Sequence, residues 1–308
     1  MSSPTRSNSN KTVVIAGSTG YLGRFLVSEY HERGWKVKAL VRNKSKASGT
    51  FPEGVELIEA HVTKPETLKG IIDDRVDLVL SSVGITRQRD GLTYRDVDYQ
   101  ANKNLLEETI QAKVPQFAYI HVLQGESMAH LTAIQAKVDF VKDLEKAVQA
   151  GQLQHSTVIA PCGFFSDMKD FLDMAKSGRA YLFGDGRHTI NPIHGADLAK
   201  ATVDAIDAKR QRLDVGGPDV FTQTELAELA FTALQKPAKI SYLWDSIRTG
   251  LIKLLPWCSP LTVWGPAQFF LTAMGQDMVG ECHGQHHLRD HFAQVVKEEQ
   301  EQQKKTSS

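Results

Sequence analysis

Three glycines near the start of the chain have the spacing of a phosphate-binding loop. Gly17, Gly20 and Gly23 follow the apolar run Thr12–Ala16 and open an amphipathic stretch. In such a loop the first glycine permits a tight turn, the second lets the backbone approach a pyrophosphate, and the third lets the helix pack closely on the sheet. The phosphates then lie at a helix N-terminus, where exposed N–H groups favour anions. The predicted dinucleotide-binding residues are Gly17, Ser18, Thr19, Gly20, Tyr21, Leu22 and Gly23.

The end of the second apolar run indicates which dinucleotide binds. An NAD site normally has Asp or Glu there, which binds the ribose hydroxyls. Residues 39–44 read Ala-Leu-Val-Arg-Asn-Lys and contain no acid. Arg42 can pair with a 2′-phosphate through two charge-assisted hydrogen bonds, and Lys44 or Lys46 can add positive charge. An ordinary exposed arginine is the alternative interpretation of Arg42, but the missing acid favours NADPH (NADP+) as the cofactor.

The elements that must position these residues alternate along the chain. Short β-branched runs and amphipathic stretches follow one another to about Gly217, which is typical of βαβ units on a parallel sheet. We predict an α/β fold, a Rossmann-type doubly wound parallel sheet with a small, mainly helical C-terminal substrate region. The predicted strands are residues 12–16, 36–41, 55–60, 76–81, 117–122 and 156–160. The predicted helices are residues 22–33, 67–73, 98–111, 133–149 and 224–234, the last capped by Thr222.

The same pattern predicts the domain organisation. Residues 1–10 are polar and rich in Ser and Asn, and we expect a disordered leader there. An NAD(P)-binding Rossmann domain is expected over residues 11–235, and a substrate or lid region over residues 236–294. Residues 295–308 are rich in Glu, Gln and Lys, and we expect a disordered tail.

The bulk composition excludes several classes of protein. The 36 Lys and Arg residues equal the 36 Asp and Glu residues, so the sequence does not indicate the basic surface that nucleic acid requires. Cys162, Cys258 and Cys282 are widely spaced, which argues against a disulfide framework or a structural zinc site. We expect residues 1–10 not to be a secretory signal, because they contain no apolar segment. No run of the sequence is apolar for the 18 or so residues that a membrane span needs. We expect a cytoplasmic protein, with an organelle not excluded and the oligomeric state open.

With these features in place, the chain resembles the atypical short-chain dehydrogenase/reductases of the NAD(P)H-binding, NmrA-like group. Isoflavone-reductase-like enzymes and divinyl chlorophyllide 8-vinyl reductases are relatives of that group. The resemblance covers residues 11–234, and together its motifs are specific for the group but not for a substrate. Beyond the glycine loop, its markers are Val41-Arg42-Asn43, Val97-Asp98-Tyr99-Gln100-Ala101-Asn102-Lys103-Asn104, Ala136-Lys137, Gly163-Phe164-Phe165-Ser166-Asp167-Met168, Asn191-Pro192-Ile193-His194-Gly195-Ala196-Asp197-Leu198-Ala199 and Val215-Gly216-Gly217-Pro218.

The chain departs from the group at three positions. Well-known members use a Tyr-x-x-x-Lys pair, but here the residue four before Lys137 is Ala133. His121 stands where a Ser usually ends the fifth strand, and His61 replaces an Asp that commonly meets the adenine. The resemblance therefore implies that Lys137 serves catalysis or nicotinamide-ribose binding without the usual tyrosine.

Two residues are candidates for catalysis. A lysine beside the cofactor could hold ribose hydroxyls or deliver a proton, and burial could lower the pKa of Lys137 towards neutrality. The alternative is a surface lysine. His121 would titrate near neutral pH at the carboxyl end of a strand, where doubly wound sheets place ligands. A hydrogen-bonded structural histidine is an equally open interpretation.

Other residues could line the site. Ser81, Ser82 and Gly84 follow the fourth strand and could contact the cofactor through the backbone. Phe164 and Phe165 follow the sixth strand and could form the substrate-side wall, although adjacent aromatics are also common in cores. The Asn191–His194 stretch is interpreted as structural more than catalytic.

Two later segments allow alternative interpretations. Residues 282–291 contain four histidines, of which His287 and His291 would share a helix face if the segment is helical. No HExxH pattern is present, so we favour a solvated or packing segment over a metal site. Residues 251–271 are apolar and are interrupted by prolines. We favour a lid over an apolar substrate, with peripheral membrane contact as the alternative.

Two functions follow from these observations. The first is an NADPH-dependent oxidoreductase that reduces an apolar or conjugated small molecule, with Lys137 or His121 supplying or steering the proton. The second is a non-catalytic NAD(P)H-binding sensor or assembly protein of the NmrA-like type. Lys137 and the apolar C-terminal segment favour the first function, whereas the absent tyrosine favours the second.

Overall fold

The computed structural model describes residues 11–85, 91–258 and 260–306. The leader expected over residues 1–10 lies outside them. The described chain divides into two compact units. The first contains the residues up to Ala160 together with Ala199–Leu213, and the second contains Pro161–Leu198 and the residues from Asp214 onward. This division differs from the expected boundary after residue 235, because the chain enters the second unit at Pro161, returns to the first for Ala199–Leu213 and then leaves it again.

The first unit is built on a parallel sheet of Rossmann type. Its strands are β1 (Thr12–Ala16), β2 (Lys36–Val41), β3 (Glu56–Glu59), β4 (Leu78–Ser81), β5 (Gln116–Ile120), β6 (His155–Pro161) and the start of β9 (Arg212–Gly216). Their order across the sheet is β9-β6-β5-β4-β1-β2-β3. The order reverses at β1, since β2 lies on one side of it and β4 on the other. In open α/β sheets, ligands bind at the carboxyl ends of the strands beside such a reversal.

Helices cover this sheet. They are α1 (Tyr21–Glu32), α2 (Lys44–Ala47), α3 (Asn102–Gln111), α4 (Thr132–Gln149) and α6 (Gly195–Asp207), whose residues from Ala199 onward lie in this unit. Helix α1 buries Leu22, Leu26 and Tyr30 on one face, as the three-to-four-residue spacing of its apolar side chains requires. In the core, Phe140 of α4 packs edge-on against Tyr119 of β5, with ring centroids 4.7 Å apart.

Two predicted helices differ from the observed structure. The first four residues of the helix predicted over residues 98–111 belong to a π-helix, Arg95–Ala101, which continues into α3. The predicted helix over residues 67–73 is wrong, because the segment contains only a 3-10 turn, Pro65–Thr67, and turns. Pro65, the first residue of the 3-10 turn, has a backbone angle that favours the turn. Gly70 has a left-handed backbone (φ 75°), so a helix cannot continue through it.

The second unit combines short strands with helices. The strands are β7 (Ala180–Phe183), β8 (Thr189–Ile190), β10 (Phe221–Thr222), β11 (Ile240–Leu243) and β12 (Glu281–Cys282). The helices are α5 (Lys169–Lys176), α7 (Gln223–Ala233), α8 (Asp245–Cys258), α9 (Leu261–Ala273) and α10 (Leu288–Thr306). Strand β11 pairs in parallel with β7, and β12 pairs with the last two residues of β9, which makes β12 the eighth strand of the main sheet among the described residues. The predicted N-cap of α7 is confirmed, since the Thr222 side chain accepts a hydrogen bond from the Glu225 N–H. The Glu225 carboxylate in turn accepts from the Thr222 N–H, which completes a capping box.

The second core corrects the expectation of a disordered tail. Phe171 of α5, Phe231 of α7 and Phe292 of α10 are each at most 2% exposed and belong to one apolar cluster. Val296 joins the same cluster, and α10 continues as a helix to Thr306. Residues 297–306 therefore continue a helix whose first turns are packed in this core. Residues 307 and 308 of the expected tail lie outside the described residues.

Candidate functional site

The glycine loop has the geometry that its sequence predicts. It connects β1 to α1, and Gly17 lies in the left-handed region at φ 80°. The Gly20 N–H donates to the Gly17 carbonyl at 2.9 Å, which closes the turn. A Cβ on Gly23 would lie 2.1 Å from the Gly17 carbonyl oxygen, so only glycine allows the helix to approach the strand this closely.

Gly20 forms an open cradle at the start of α1. A Cβ built on Gly20 would meet only the Gly17 carbonyl oxygen, at 3.2 Å, among the described residues. Thr19, Gly20 and Tyr21 are exposed, whereas Ser18 is buried and donates to the Leu40 carbonyl. A helix N-terminus with exposed backbone at its first residues matches a pyrophosphate in charge and shape. These residues therefore fit a dinucleotide.

The end of β2 contains the residues expected to select the cofactor. Arg42 is the first residue beyond β2 and is exposed, as are Lys44 and Lys46. Asn43 caps α2 by accepting the Lys46 N–H at 2.8 Å. The nearby acid is Glu59 at the end of β3, whose carboxylate already accepts the Lys44 N–H at 2.9 Å. The end of β2 is thus basic, as a 2′-phosphate requires.

The end of β4 connects the glycine loop to Lys137. The Ser82 hydroxyl donates to the Ala16 carbonyl at 3.0 Å, and a Cβ on Gly17 would collide with Ser82. Two residues later, a Cβ on Gly84 would lie 2.6 Å from Lys137 Nζ. Ser81 is buried, and its hydroxyl donates to Asn102 at 2.5 Å. The structure thus brings the predicted residues of β4 together with both the loop and Lys137.

Lys137 forms a buried ion pair with Asp98. The Lys137 Nζ lies 2.6 Å from Asp98 Oδ1, and the two side chains are 17% and 0% exposed. Burial alone would lower the pKa of Lys137, but the Asp98 carboxylate and Tyr119 outweigh it and raise this pKa above its usual value. The expectation of a pKa lowered towards neutrality is therefore wrong. Lys137 is held as an ammonium group, which can donate hydrogen bonds and positive charge but cannot act as a neutral base.

Sequence reasoning missed the residues that hold Lys137. Asp98 lies in the π-helix Arg95–Ala101, an irregular helix type that occurs frequently at functional sites. The Asn102 amide fixes this segment by donating to the carbonyls of Asp98, at 3.0 Å, and of Val83, at 3.4 Å. The motif over residues 97–104 was the available signal, since it places two polar residues four apart on an otherwise apolar helix face.

Tyr119 is a further titratable group beside Lys137. Its ring lies 5.9 Å from Lys137 Nζ, measured to the ring centroid, and its side chain is fully buried. Burial raises the pKa of the Tyr119 phenol to about 12. The hydroxyl has no hydrogen-bond partner among the described residues. A protonated phenol thus lies against the ion pair, although it comes from strand β5 and not from position 133.

His121 is enclosed by the chain. Its side chain is 0% exposed and its Nε2 lies 3.6 Å from Glu126 Oε1. Glu126 in turn accepts two hydrogen bonds from Arg212, at 2.7 and 3.1 Å. A Cβ on Gly125 would lie 2.4 Å from His121 Nε2, so the turn closes directly over the ring. Burial lowers the pKa of His121. The ring is thus enclosed, and neither of its nitrogens has a hydrogen-bond partner among the described residues.

The predicted substrate-side pair lies in the second unit. Phe165 is 1% exposed and belongs to the apolar core of that unit, whereas Phe164 is half-buried. Asn191 is fully buried, and its amide donates to the carbonyls of Gly217 and Gly280, at 3.1 and 3.0 Å. Asn191 thus joins three loops, which is the structural role expected of it. Of the two phenylalanines, only Phe164 has an accessible surface.

The histidine-rich segment has packing and surface contacts. The rings of His194 and His286 stack with centroids 4.2 Å apart, and His286 Nδ1 lies 2.9 Å from Asp197 Oδ1. His291 packs on Phe165 in the core, whereas His287 precedes α10 and pairs with Asp219 at 2.7 Å. His287 and His291 therefore do not converge. Over residues 11–85, 91–258 and 260–306, no group of three or more His, Cys, Asp or Glu side chains could hold a metal ion.

Comparison with known proteins places this site in a family. A profile of the NmrA-like family matches residues 9–180, more than half of the chain. The chain is 28% identical over 241 residues to the chloroplastic divinyl chlorophyllide a 8-vinyl-reductase of Cucumis sativus, an alignment that covers 73% of this chain and 57% of that protein. It is 25% identical to the photosystem II assembly factor Ycf39 of Synechocystis, over 74% of this chain and 69% of that protein. The chain thus matches less than two thirds of the length of the cucumber reductase.

A solved structure confirms the fold. The NADPH-dependent quinone oxidoreductase of Escherichia coli, complexed with NADPH, superimposes with a TM-score of 0.66. The alignment covers 92% of this chain and 99% of that one, at 17% identity. Identity this low shows a shared fold and no more.

Proposed function

The chain belongs to the NmrA-like family, and from this premise we propose that it is an NADPH-dependent reductase of a conjugated, largely apolar small molecule. The observation that carries the proposal is the Lys137–Asp98 ion pair, buried at the end of β4 where that strand also contacts the glycine loop. A buried charge pair costs desolvation energy and is weak evidence for stability. The position of the Lys137–Asp98 pair beside the glycine loop supports a role in the reaction.

The first unit supplies the residues that would hold the cofactor. Gly20 and the first turn of α1 would bind the pyrophosphate, and Arg42 would pair with the 2′-phosphate. Ser82 and Gly84 would contact the cofactor through the backbone. When bound, NADPH would supply the hydride that reduces the substrate. The basic end of β2 supports NADPH over NADH.

Lys137 would act at the nicotinamide end. Its ammonium group can donate hydrogen bonds to the ribose hydroxyls or deliver a proton from Nζ to the carbon or oxygen that the reduction leaves negative. Asp98 would act as a positioning residue, since its carboxylate fixes Nζ at 2.6 Å and maintains its charge. His121 has a structural role in this proposal.

The substrate class is inferred from the relatives. The plant proteins are vinyl reductases of a chlorophyllide and the structural neighbour is a quinone oxidoreductase, so both names describe conjugated substrates. We therefore propose one of two kinds of substrate. The first has a conjugated carbon–carbon double bond that reduction saturates, and the second is a quinone whose ring becomes aromatic on reduction.

NADPH consumption by the purified protein tests this function. The panel contains a vinyl-substituted tetrapyrrole, quinones and simple enones, and loss of NADPH absorbance is followed for each of them. We expect oxidation with at least one conjugated acceptor and none with saturated analogues of the same size. The Gly20→Val variant is the matched control, because it should lose cofactor binding and with it any true turnover.

A second function is favoured by a different observation. Position 133 is Ala, and relatives in cyanobacteria and algae are named photosystem II assembly factors. The alternative is a protein that binds NADPH and assembles with a partner without reducing a substrate. Tight NADPH binding by calorimetry combined with no oxidation across the panel would contradict the reductase proposal and support this alternative.

A further inference from the structure

Helix α8 of the second unit presents an apolar face to solvent. Ile247, Leu251, Leu254 and Trp257 are 44%, 37%, 58% and 89% exposed. Their spacing of four, three and three residues places them on one side of the helix. Trp244, just before the helix, is 81% exposed. We call these five residues the α8 surface. Contiguous exposure of this kind marks an interaction site in a folded protein.

The α8 surface is held in place by its own unit. Arg248 donates to the Asp245 carboxylate at 2.6 and 3.1 Å, which closes the first turn of α8. The same guanidinium group donates to the Leu271 carbonyl at 2.9 Å and thereby joins α8 to α9. The open concavity along α8 is lined by residues of that helix alone. It is therefore one face of a helix and not an enclosed ligand pocket.

The charge around the α8 surface indicates its partner. No Asp or Glu occurs between Asp245 and Asp277, whereas the same stretch contains Arg248 and Lys253. Lys253 is exposed and borders the apolar stripe. Within the first turn of α8, Asp245 and Arg248 pair with each other, so the net positive charge of residues 245–276 comes from Lys253. An apolar face with a lysine at its border matches an anionic lipid surface, in which the acyl region accepts the apolar side chains and the headgroups accept the lysine.

The two tryptophans indicate the depth of contact. Trp244 and Trp257 lie at opposite ends of α8, about 20 Å apart at the helical rise per residue. The indole ring combines a large apolar area with one N–H donor, and this combination favours the boundary between acyl chains and headgroups. None of the described helices is long and apolar enough to cross a membrane.

We propose that the α8 surface docks this protein on the surface of an anionic bilayer. The helix lies parallel to the membrane with Trp244, Leu254 and Trp257 inserted between headgroups and Lys253 against lipid phosphates. The inference is independent of the proposed reductase function, because it depends only on the exposed residues of the second unit. It takes up the alternative of peripheral membrane contact that the sequence left open beside a lid.

Vesicle flotation of the full chain tests the proposal. We expect binding to phosphatidylcholine vesicles that contain phosphatidylglycerol and much weaker binding to pure phosphatidylcholine vesicles. Lys253→Gln should weaken binding about fivefold. A combined Leu254→Ser and Trp257→Ser variant should weaken it by more than about tenfold, because two large apolar side chains no longer leave water. Val220→Ser is the matched control, since Val220 is 47% exposed and lies outside the α8 surface.

Fluorescence quenching locates the contact. Brominated lipids should quench Trp244 and Trp257 in the bound protein, whereas the Trp257→Ser variant should lose part of the quenching. Absence of binding to anionic vesicles would overturn the proposal, as would equal binding by the combined variant. Light scattering provides an independent check. If the protein is a dimer in solution that the combined variant dissociates, the α8 surface is an interface between two copies and the membrane proposal is wrong.

Discussion

The proposed preference for NADPH depends on Arg42. Because it follows β2 directly and no acid stands at that position, we expect NADPH to bind more tightly than NADH. The Arg42→Asp variant should reverse this order, since a carboxylate repels the 2′-phosphate and accepts hydrogen bonds from the ribose hydroxyls of NADH. Isothermal titration of both cofactors into both proteins measures the effect. Equal affinities of the natural protein for NADH and NADPH would contradict the assignment.

Two variants separate the effect of the Lys137–Asp98 pair on stability from its proposed role in the reaction. Lys137→Met leaves the Asp98 charge buried without its partner, which should cost about 3–5 kcal/mol in the free energy of unfolding. Lys137→Met combined with Asp98→Asn removes both charges and should recover most of that stability. Urea denaturation measures both effects.

Turnover of the same double variant then tests catalysis. If Lys137 delivers a proton, the double variant should fold and bind NADPH but turn over about 10²–10⁴-fold more slowly. Turnover at the rate of the natural protein would assign the pair to stability alone. The His121→Gln variant is the comparison, because we expect it to lose stability while its pH–rate profile keeps the natural shape.

At the scale of the element, Gly20 and Gly23 lie where the glycine loop enters α1, and they have different roles. A side chain at Gly20 would fill the open cradle, so Gly20→Val should abolish NADPH binding and leave the fold near intact. A side chain at Gly23 would collide with the backbone of Gly17, so Gly23→Ala should lower stability by about 1–3 kcal/mol. Calorimetry and thermal unfolding of both variants distinguish the tasks. Unchanged NADPH binding by Gly20→Val would mean that the loop is only a turn.

Helix type was less predictable than helix position. The stretch over residues 98–111 has helical spacing, and the observed helix covers it. Its first part is nevertheless a π-helix, and the contacts at this point join distant segments: Asp98 pairs with Lys137 of α4, and Asn102 accepts from Ser81 of β4. Such contacts lie outside the segment itself, so local periodicity does not report them.

Across the whole molecule, buried histidines should make stability depend on pH. Burial lowers the pKa of His121, His194 and His291 in the folded protein. The unfolded chain therefore binds protons first as the pH falls through about 6.5, the usual histidine value. Stability is retained above that pH and is lost as the pH falls towards the lowered folded values.

Urea denaturation at about pH 7.5 and about pH 5.5 measures this loss. His291→Gln should reduce the difference between the two pH values, since it removes one titrating group from the core of the second unit. His287 is the control position. Asp219 raises the pKa of His287, so this histidine stabilises the folded protein more as the pH falls, opposite to the other three. A free energy of unfolding that does not change over this range would contradict the expectation.

The sequence by itself determined the features that depend on local spacing. The glycine loop, the bounds of β1 and β2, and the basic end of β2 are observed as predicted, because each follows from neighbouring residues whose backbone and side-chain preferences agree. The family is also determined at this level, since its markers are short motifs between residues 17 and 218 and the family profile matches residues 9–180.

Only the tertiary structure decided the charges and contacts that join distant parts of the chain. Asp98 and Lys137 are 39 residues apart, and the charge of the lysine is set by that carboxylate and by burial. The stacking of His194 on His286 spans 92 residues, and α10 is ordered to Thr306 because Phe292 and Val296 enter a core formed by α5 and α7. The physical reason is the same in each case. A pKa, a stacked ring or an ordered tail depends on which groups exclude water around it, and folding brings those groups from separate segments.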